Sequence, residues 1–231
     1  MSAFEIFYRE LIPRGGYRTI LQGLGHTVII AIGGLLIGII FGSLLAICII
    51  KPNKKAVGKT LSVICQGYVG FFRGTPIVVQ LLLTYYGLLP LMGINIDALL
   101  VAVIVFGLNS SAYVAEIMRG GILSIDSGQM EAGRSLGMSY SMVMIHVVLP
   151  QAIKNVVPML CNEFIALIKD TSVAGFITVL DVTRAFQNIG AATYEFMIPY
   201  VVLALVYLII VTLISVLIRI LERRLRKNDN R

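Results

Sequence analysis

The chain has 231 residues, of which 58% are hydrophobic and 13% charged, with a formal net charge of +7 and a mean hydropathy of +0.90. An ordinary soluble domain carries about 25% charged residues, so this composition excludes one and points to an integral membrane protein. The positive balance does not call for nucleic acid, because basic connections beside anionic lipid account for it.

In chain order, the N-terminal segment lacks the basic, apolar and cleavage-site succession of a signal peptide, so the first span is expected to act as the insertion signal. That span runs from about 27 to 50, contains Gly33, Gly34, Gly38 and Gly42, and ends at Lys51-Pro52. Small residues of this kind suit close helix approach in a bilayer. An amphipathic lead-in over about 61 to 72 precedes a second span over 75 to 92, which opens on Thr75-Pro76, where a missing N–H costs nothing. The third span covers 97 to 118 with Asp97 as its N-cap, the fourth covers 152 to 180, and the last covers 196 to 221. The expected fold is therefore all-α, with five transmembrane helices in one domain over residues 1–231.

Lys and Arg distribution sets the orientation. Lys51, Lys54, Lys55 and Lys59 follow the first span, Arg119, Arg134 and Lys154 lie around the third connection, and five more follow Glu222. The connection 90–96 has no basic residue and 181–195 has only Arg184. Arg9, Arg14 and Arg18 run against this pattern, partly offset by Glu5 and Glu10, and the expected topology remains N-out, C-in.

Catalytic motifs are thin. The string AVGKT at 56 to 60 lacks the first glycine of a phosphate-binding loop, since Asn53 stands there. Cys48, Cys65 and Cys161 fit no metal or disulfide framework, and His26 and His146 have no ligand-type companion at helical spacing. No G-x-S-x-G or H-E-x-x-H occurs. The chain is expected to be no enzyme by itself and to hold no metal or cofactor.

The stretch EAGRSLGMSYSMVMIHVVLP at 131 to 150 stands apart from this apolar background. Asp126 with Gln129 resembles a helix-starting box, after which Met130, Gly133 and Leu136 are expected on one face of a short helix. Gly137 supplies a stop, Ser139 or Ser141 can cap a second helix, and Met144, Val147 and Val148 lead back to the membrane at Pro150. Such a helix fits a groove in another protein or lies on lipid.

Within spans three and four, polar residues stand where lipid penalises them. Asn109, Ala112 and Glu116 share a face beside Ser110 and Tyr113, Glu163 and Asp170 share another, and Asn162 and Lys169 form a neighbouring stripe. Pro158 bends or starts its helix. These residues either line a transport path or tie helices together, and Lys169 and Asp170 could neutralise each other. Glu163 is the foremost candidate for a substrate contact, with Asn109, Ser110, Asn162 and Glu116 beside it. A carboxylate mildly favours a cationic amino acid and leaves glutamine and cystine open. Arg73 and Arg119 read first as topology anchors.

The pattern Glu131-Ala132, then Gly137, then Val147-x-Leu149-Pro150 resembles the EAA loop of membrane subunits of bacterial ABC importers. It departs at Gly133, where alanine is usual, and at Val147, where isoleucine is usual. The stretches FFRGTPIVVQ at 71 to 80, NSSAYVAEIMRGGI at 109 to 122 and NEFIALIKDTS at 162 to 172 are similar to permeases of the histidine, glutamine and arginine type. The resemblance implies a type I ABC importer permease fold in a bacterial inner membrane. It implies a second permease subunit, identical or homologous, an extracytoplasmic amino-acid-binding protein, and two ATPase subunits that bind the ATP and Mg. The loop 119–151 would then be the coupling loop. Glu131 would make polar contacts, Ala132 and Gly133 would allow close approach, Gly137 would turn the chain, and Leu149 and Pro150 would close the motif. An ion-gradient-driven carrier or channel, or a membrane scaffold, is the rival reading.

Overall fold

The computed structural model describes residues 2–50 and 56–227, with side chains described to residue 220. Lys51-Pro52, Lys54, Lys55 and the end of the basic tail lie outside the described residues. The described residues form helices α1 (Ala3–Leu11), α2 (Gly16–Ile50), α3 (Ala56–Gly74), α4 (Ile77–Leu82), α5 (Leu89–Leu91), α6 (Ala98–Leu123), α7 (Ser127–Ser135), α8 (Tyr140–Val143), α9 (Leu149–Asp170), α10 (Val182–Thr193) and α11 (Met197–Lys227). Two π-turns, Leu83–Leu88 and Met144–Val148, and a 3₁₀ turn, Thr171–Ile177, lie between them.

Helix α2 has 35 residues, about 52 Å at 1.5 Å per residue, so it reaches well past a hydrocarbon layer of about 30 Å. Every third or fourth residue on one side is small: Gly23, Thr27, Ala31, Gly34, Gly38, Gly42 and Ala46 are all buried. From Gly34 to Gly42 the stripe meets α6 in the most extensive helix pairing among the described residues, while Gly23 and Thr27 meet Asp181 and Val182 at the start of α10. A Cβ added at Gly38 would lie 2.7 Å from Ser110 Oγ, and one at Gly42 would lie 2.7 Å from the Ser111 carbonyl oxygen. Backbone contact of this kind replaces the hydrophobic driving force that lipid cannot supply. Phe106, Ile30, Leu81, Ile168 and Ile177 fill the adjoining core.

The second crossing is broken. Helix α3 and the helical run Ile77–Leu91 meet at 104°, so the expected lead-in is a full helix of 19 residues. Pro76 has no N–H to continue the ladder, and side chains take the carbonyls left open, Gln80 foremost among them. Gln80 Nε2 donates to Phe72 O at 3.0 Å, to Thr75 O at 3.0 Å and to Thr75 Oγ1 at 2.8 Å.

Asp97 caps α6, accepting the N–H groups of Leu99 and Leu100. Pro158 neither starts nor breaks its segment, because α9 runs through it to Asp170. The expected fourth span then ends in the 3₁₀ turn, and Thr178 turns the chain at φ +68°. Two further helices lie outside the expected spans. Helix α1 is capped reciprocally by Ser2 and Glu5, and α10 is capped by the buried Asp181, whose carboxylate accepts the N–H groups of Thr183 and Arg184. Phe7 of α1 packs with Val182, Phe186 and Ile189 of α10. Helix α11 presents Leu205, Leu208, Leu213 and Leu217 to the outside of the chain, a surface for lipid or a second subunit.

Candidate functional site

Glu163 stands half-buried on α9, and Ser110 on α6 is wholly buried. Ser110 Oγ donates to Glu163 Oε1 at 2.9 Å. The contact depends on three helices, because the missing side chain at Gly38 leaves α2 room to pass against Ser110. Among the described residues, the ion pairs are Arg14 with Glu10 and Arg73 and Arg119 with Glu116, so Glu163 has no basic partner within ion-pair distance. A carboxylate held this way in a membrane is expensive unless a cation reaches it. Asp170 lies seven residues on along the same face. Lys169 forms no ion pair with it, and instead borders a groove of about 370 Å³ with Ser172, Thr183, Tyr200 and Tyr207.

The other path residues expected from sequence do not join Glu163. Asn109 is buried and donates to Phe72 O at 3.2 Å and to Gln80 Oε1 at 3.0 Å, which fastens α6 to the break after α3. Ala112 on the same face packs with Val69. Glu116 is clasped by Arg119 at 2.7 Å, with Arg73 at 3.7 Å, and the Arg73 guanidinium stacks 5.5 Å from the Tyr113 ring centre. The shared face of Asn109, Ala112 and Glu116 thus lies against the broken crossing. Asn162, directly before Glu163 on α9, is exposed. Gln80 and Tyr68 were missed by sequence reasoning, although Tyr68 donates from its hydroxyl to Leu108 O at 2.9 Å and lies 2.8 Å from Ser111 Oγ. The signal for Gln80 was available, since it is the one polar side chain among residues 77–83, directly after Pro76.

At the opposite end, α7 forms a short exposed helix. Asp126 accepts the Gly128 N–H at 2.8 Å, and the helix closes with Gly137 N–H to Arg134 O and Met138 N–H to Gly133 O. This paired closure needs a left-handed residue, and Gly137 has φ +84°. Ser139 then caps α8 by accepting the Met142 N–H. Gly133 is buried, and a Cβ there would fall 2.6 Å from Val143 Cγ2. Glu131 and Ala132 are exposed. The expected face of Met130, Gly133 and Leu136 breaks up, because the helix ends at Ser135 and Leu136 is left 83% exposed at its cap. Leu149 is half-buried and Pro150 is exposed in the first turn of α9.

An all-helical membrane chain with a small-residue seam, a broken crossing and a capped helix held outside the spans defines a transporter permease subunit. The chain belongs to the family described as binding-protein-dependent transport system inner membrane component, whose model matches residues 34–227. It is 40% identical to the arginine transport system permease protein ArtQ of Bacillus subtilis (strain 168), over 91% of this chain and 94% of that one. It is 37% identical to a putative glutamine transport system permease protein of Rickettsia typhi (strain ATCC VR-144 / Wilmington), over 90% and 94%. The crystal structure of an amino acid ABC transporter with histidines is similar at a TM-score of 0.85 and 38% identity, covering 93% of this chain and 97% of that one. In this family ATP is handled by a separate ATPase, and the permease works with a second permease subunit.

Proposed function

We propose that the chain is one permease half of an importer in a bacterial inner membrane that carries a polar, cationic amino acid into the cytoplasm. An extracytoplasmic amino-acid-binding protein delivers the substrate. Two ATPase subunits, holding ATP and Mg, dock on the segment 127–150. The observation that carries this reading is the Glu163 carboxylate, half-buried, bonded to Ser110 and without a basic partner among the described residues. Relatives named for arginine, glutamine and L-cystine transport support the substrate class, and the carboxylate favours the cationic end of it.

Glu163 receives the positive group of the substrate, while Ser110 orients the carboxylate by its single hydrogen bond. Glu131 makes polar contacts with the ATPase groove, Ala132 and Gly133 allow close approach, and Gly137 holds the turn. Leu149 and Pro150 fix where the docking segment joins α9. Closure of the ATPases can move the permease only through contacts that differ between its two states. Helix α7 is placed for such a contact, because it rests on α8 and the π-turn that follows and exposes Glu131 and Ala132 on its other side.

The test is arginine binding and ATP-driven uptake by the complete transporter in vesicles, with Glu163→Gln. Arginine affinity is expected to fall at least about tenfold, or about 1.4 kcal/mol, while basal ATP hydrolysis persists. Unchanged affinity and uptake would remove Glu163 from the path.

A further inference from the structure

We propose that the groove behind the docking segment is a binding site for one acyl chain of an inner-leaflet phospholipid. The groove encloses about 520 Å³ and is lined by Ile47 and Ile50 of α2, Ile122 of α6, Tyr140 of α8, Met144 of the π-turn and Leu149 of α9. Its walls are apolar, and the hydroxyls of Tyr140 and Ser141 are the polar groups on its lining. A concave apolar surface of this kind does not stay filled with water when hydrocarbon is at hand.

The occupant follows from continuity with the membrane-facing surface. Ile47 is 60% exposed and continues the outer stripe of Ile40 and Leu44 along α2. The groove is therefore an inward fold of the exposed apolar face of a helix long and apolar enough to cross the bilayer. Its position is on the basic, cytoplasmic side, between the ends of two spans and the segment that returns from α7. The π-turn over Met144–Val148 inserts an extra residue per turn and swings Met144 and Ile145 toward this cavity.

The site also bears on coupling. Gly133 of α7 rests on Val143, and Tyr140, three residues before Val143, and Met144, directly after it, form part of the groove wall. A chain in the groove supports from behind the platform on which the docking helix sits. Leu149, which by the resemblance closes the motif with Pro150, borders this cavity.

The experiment uses the complete transporter in vesicles of phosphatidylethanolamine and phosphatidylglycerol, a fraction of which carries a photoreactive diazirine midway along one acyl chain. After irradiation, cross-linked residues are mapped by mass spectrometry. Labelling at Ile122, Met144 and Leu149 is expected to exceed that at the open lipid-facing residues Leu208 and Leu213 of α11. Ile122→Trp, which fills the groove, is expected to lower labelling at Met144 and Leu149 by about fivefold or more with the melting temperature retained. Should Ile122→Trp fail to fold, Leu149→Phe serves in its place. Labelling at the groove no higher than at Leu208 and Leu213, or labelling insensitive to the filling variant, would each overturn the proposal.

Discussion

The seam between α2 and α6 and the segment from α7 to α8 each depend on glycines where no side chain fits, yet they are built for opposite purposes. In the seam, Gly38 and Gly42 are two of seven small buried residues in register along one helix, and what they meet on α6 includes backbone. In the docking segment a single glycine, Gly133, meets a single side chain, Val143, and Glu131, Ala132, Arg134 and Leu136 stand exposed around it. A long seam repeated at every turn cannot shift without losing many contacts at once. Under the proposed docking, α7, which rests on α8 and the π-turn that follows, is carried by a partner against the seam as the fixed reference.

The strongest way to break this contrast is Gly42→Leu. A Cβ at 42 falls 2.7 Å from the Ser111 carbonyl oxygen and 2.7 Å from Val114 Cβ, neither of which can rotate away. The cost is expected to be about 3 kcal/mol or more, seen as loss of monodisperse protein after detergent extraction. A variant that melts normally would show that the seam slides freely, and the distinction between the two regions would fall. Gly133→Val has a narrower effect. Folded protein is expected to survive, while ATP-driven uptake drops at least about tenfold because α7 is lifted off Val143. Adding Val143→Ala is expected to restore part of it, since the two positions touch and their effects should not add. If uptake falls equally with and without Val143→Ala, the Gly133 contact is not the fastening point.

Much of the fold could be read from the chain because hydrophobic length and charge asymmetry act locally. Asp97 as a cap, Gly137 as a stop and Ser139 as the next cap each follow from the chemistry of one residue, and the structure has all three. The docking segment was legible for the same reason. The polar interior was not. A helical wheel places Asn109, Ala112 and Glu116 together, but it cannot say that α3 breaks at Thr75-Pro76 and lays its open carbonyls against that face. Once Gln80 and Asn109 answer those carbonyls, the stripe becomes a fastening of the broken crossing. Helices α1, ahead of the first span, and α10, between the last two, are amphipathic, and long apolar runs do not reveal them.

The smallest expected effect tests whether the seam stays dry to its outer end. There a Cβ on Gly23 would lie 2.6 Å from the Asp181 carbonyl oxygen, and the Asp181 side chain is buried while capping α10. Burial pushes its pKa above the ordinary carboxylate range, and the N–H groups of Arg184 and Thr183 offset part of that rise. A carboxyl whose folded pKa exceeds its unfolded value binds its proton more tightly in the folded state. Its contribution to stability is therefore greatest at low pH, declines as pH climbs from the unfolded to the folded pKa, and is level above that. Asp181→Asn keeps an oxygen acceptor at the cap and removes the titration, so its melting temperature should change less over that acid interval than that of the unaltered protein. At neutral pH Asp181→Asn is expected to be at least as stable as the unaltered protein, because Asn caps about as well as Asp and buries no charge. Parallel melting curves across the acid range would mean that water reaches Asp181 freely. The seam would then end short of the outer corner, and α10 would belong with the movable parts of the molecule.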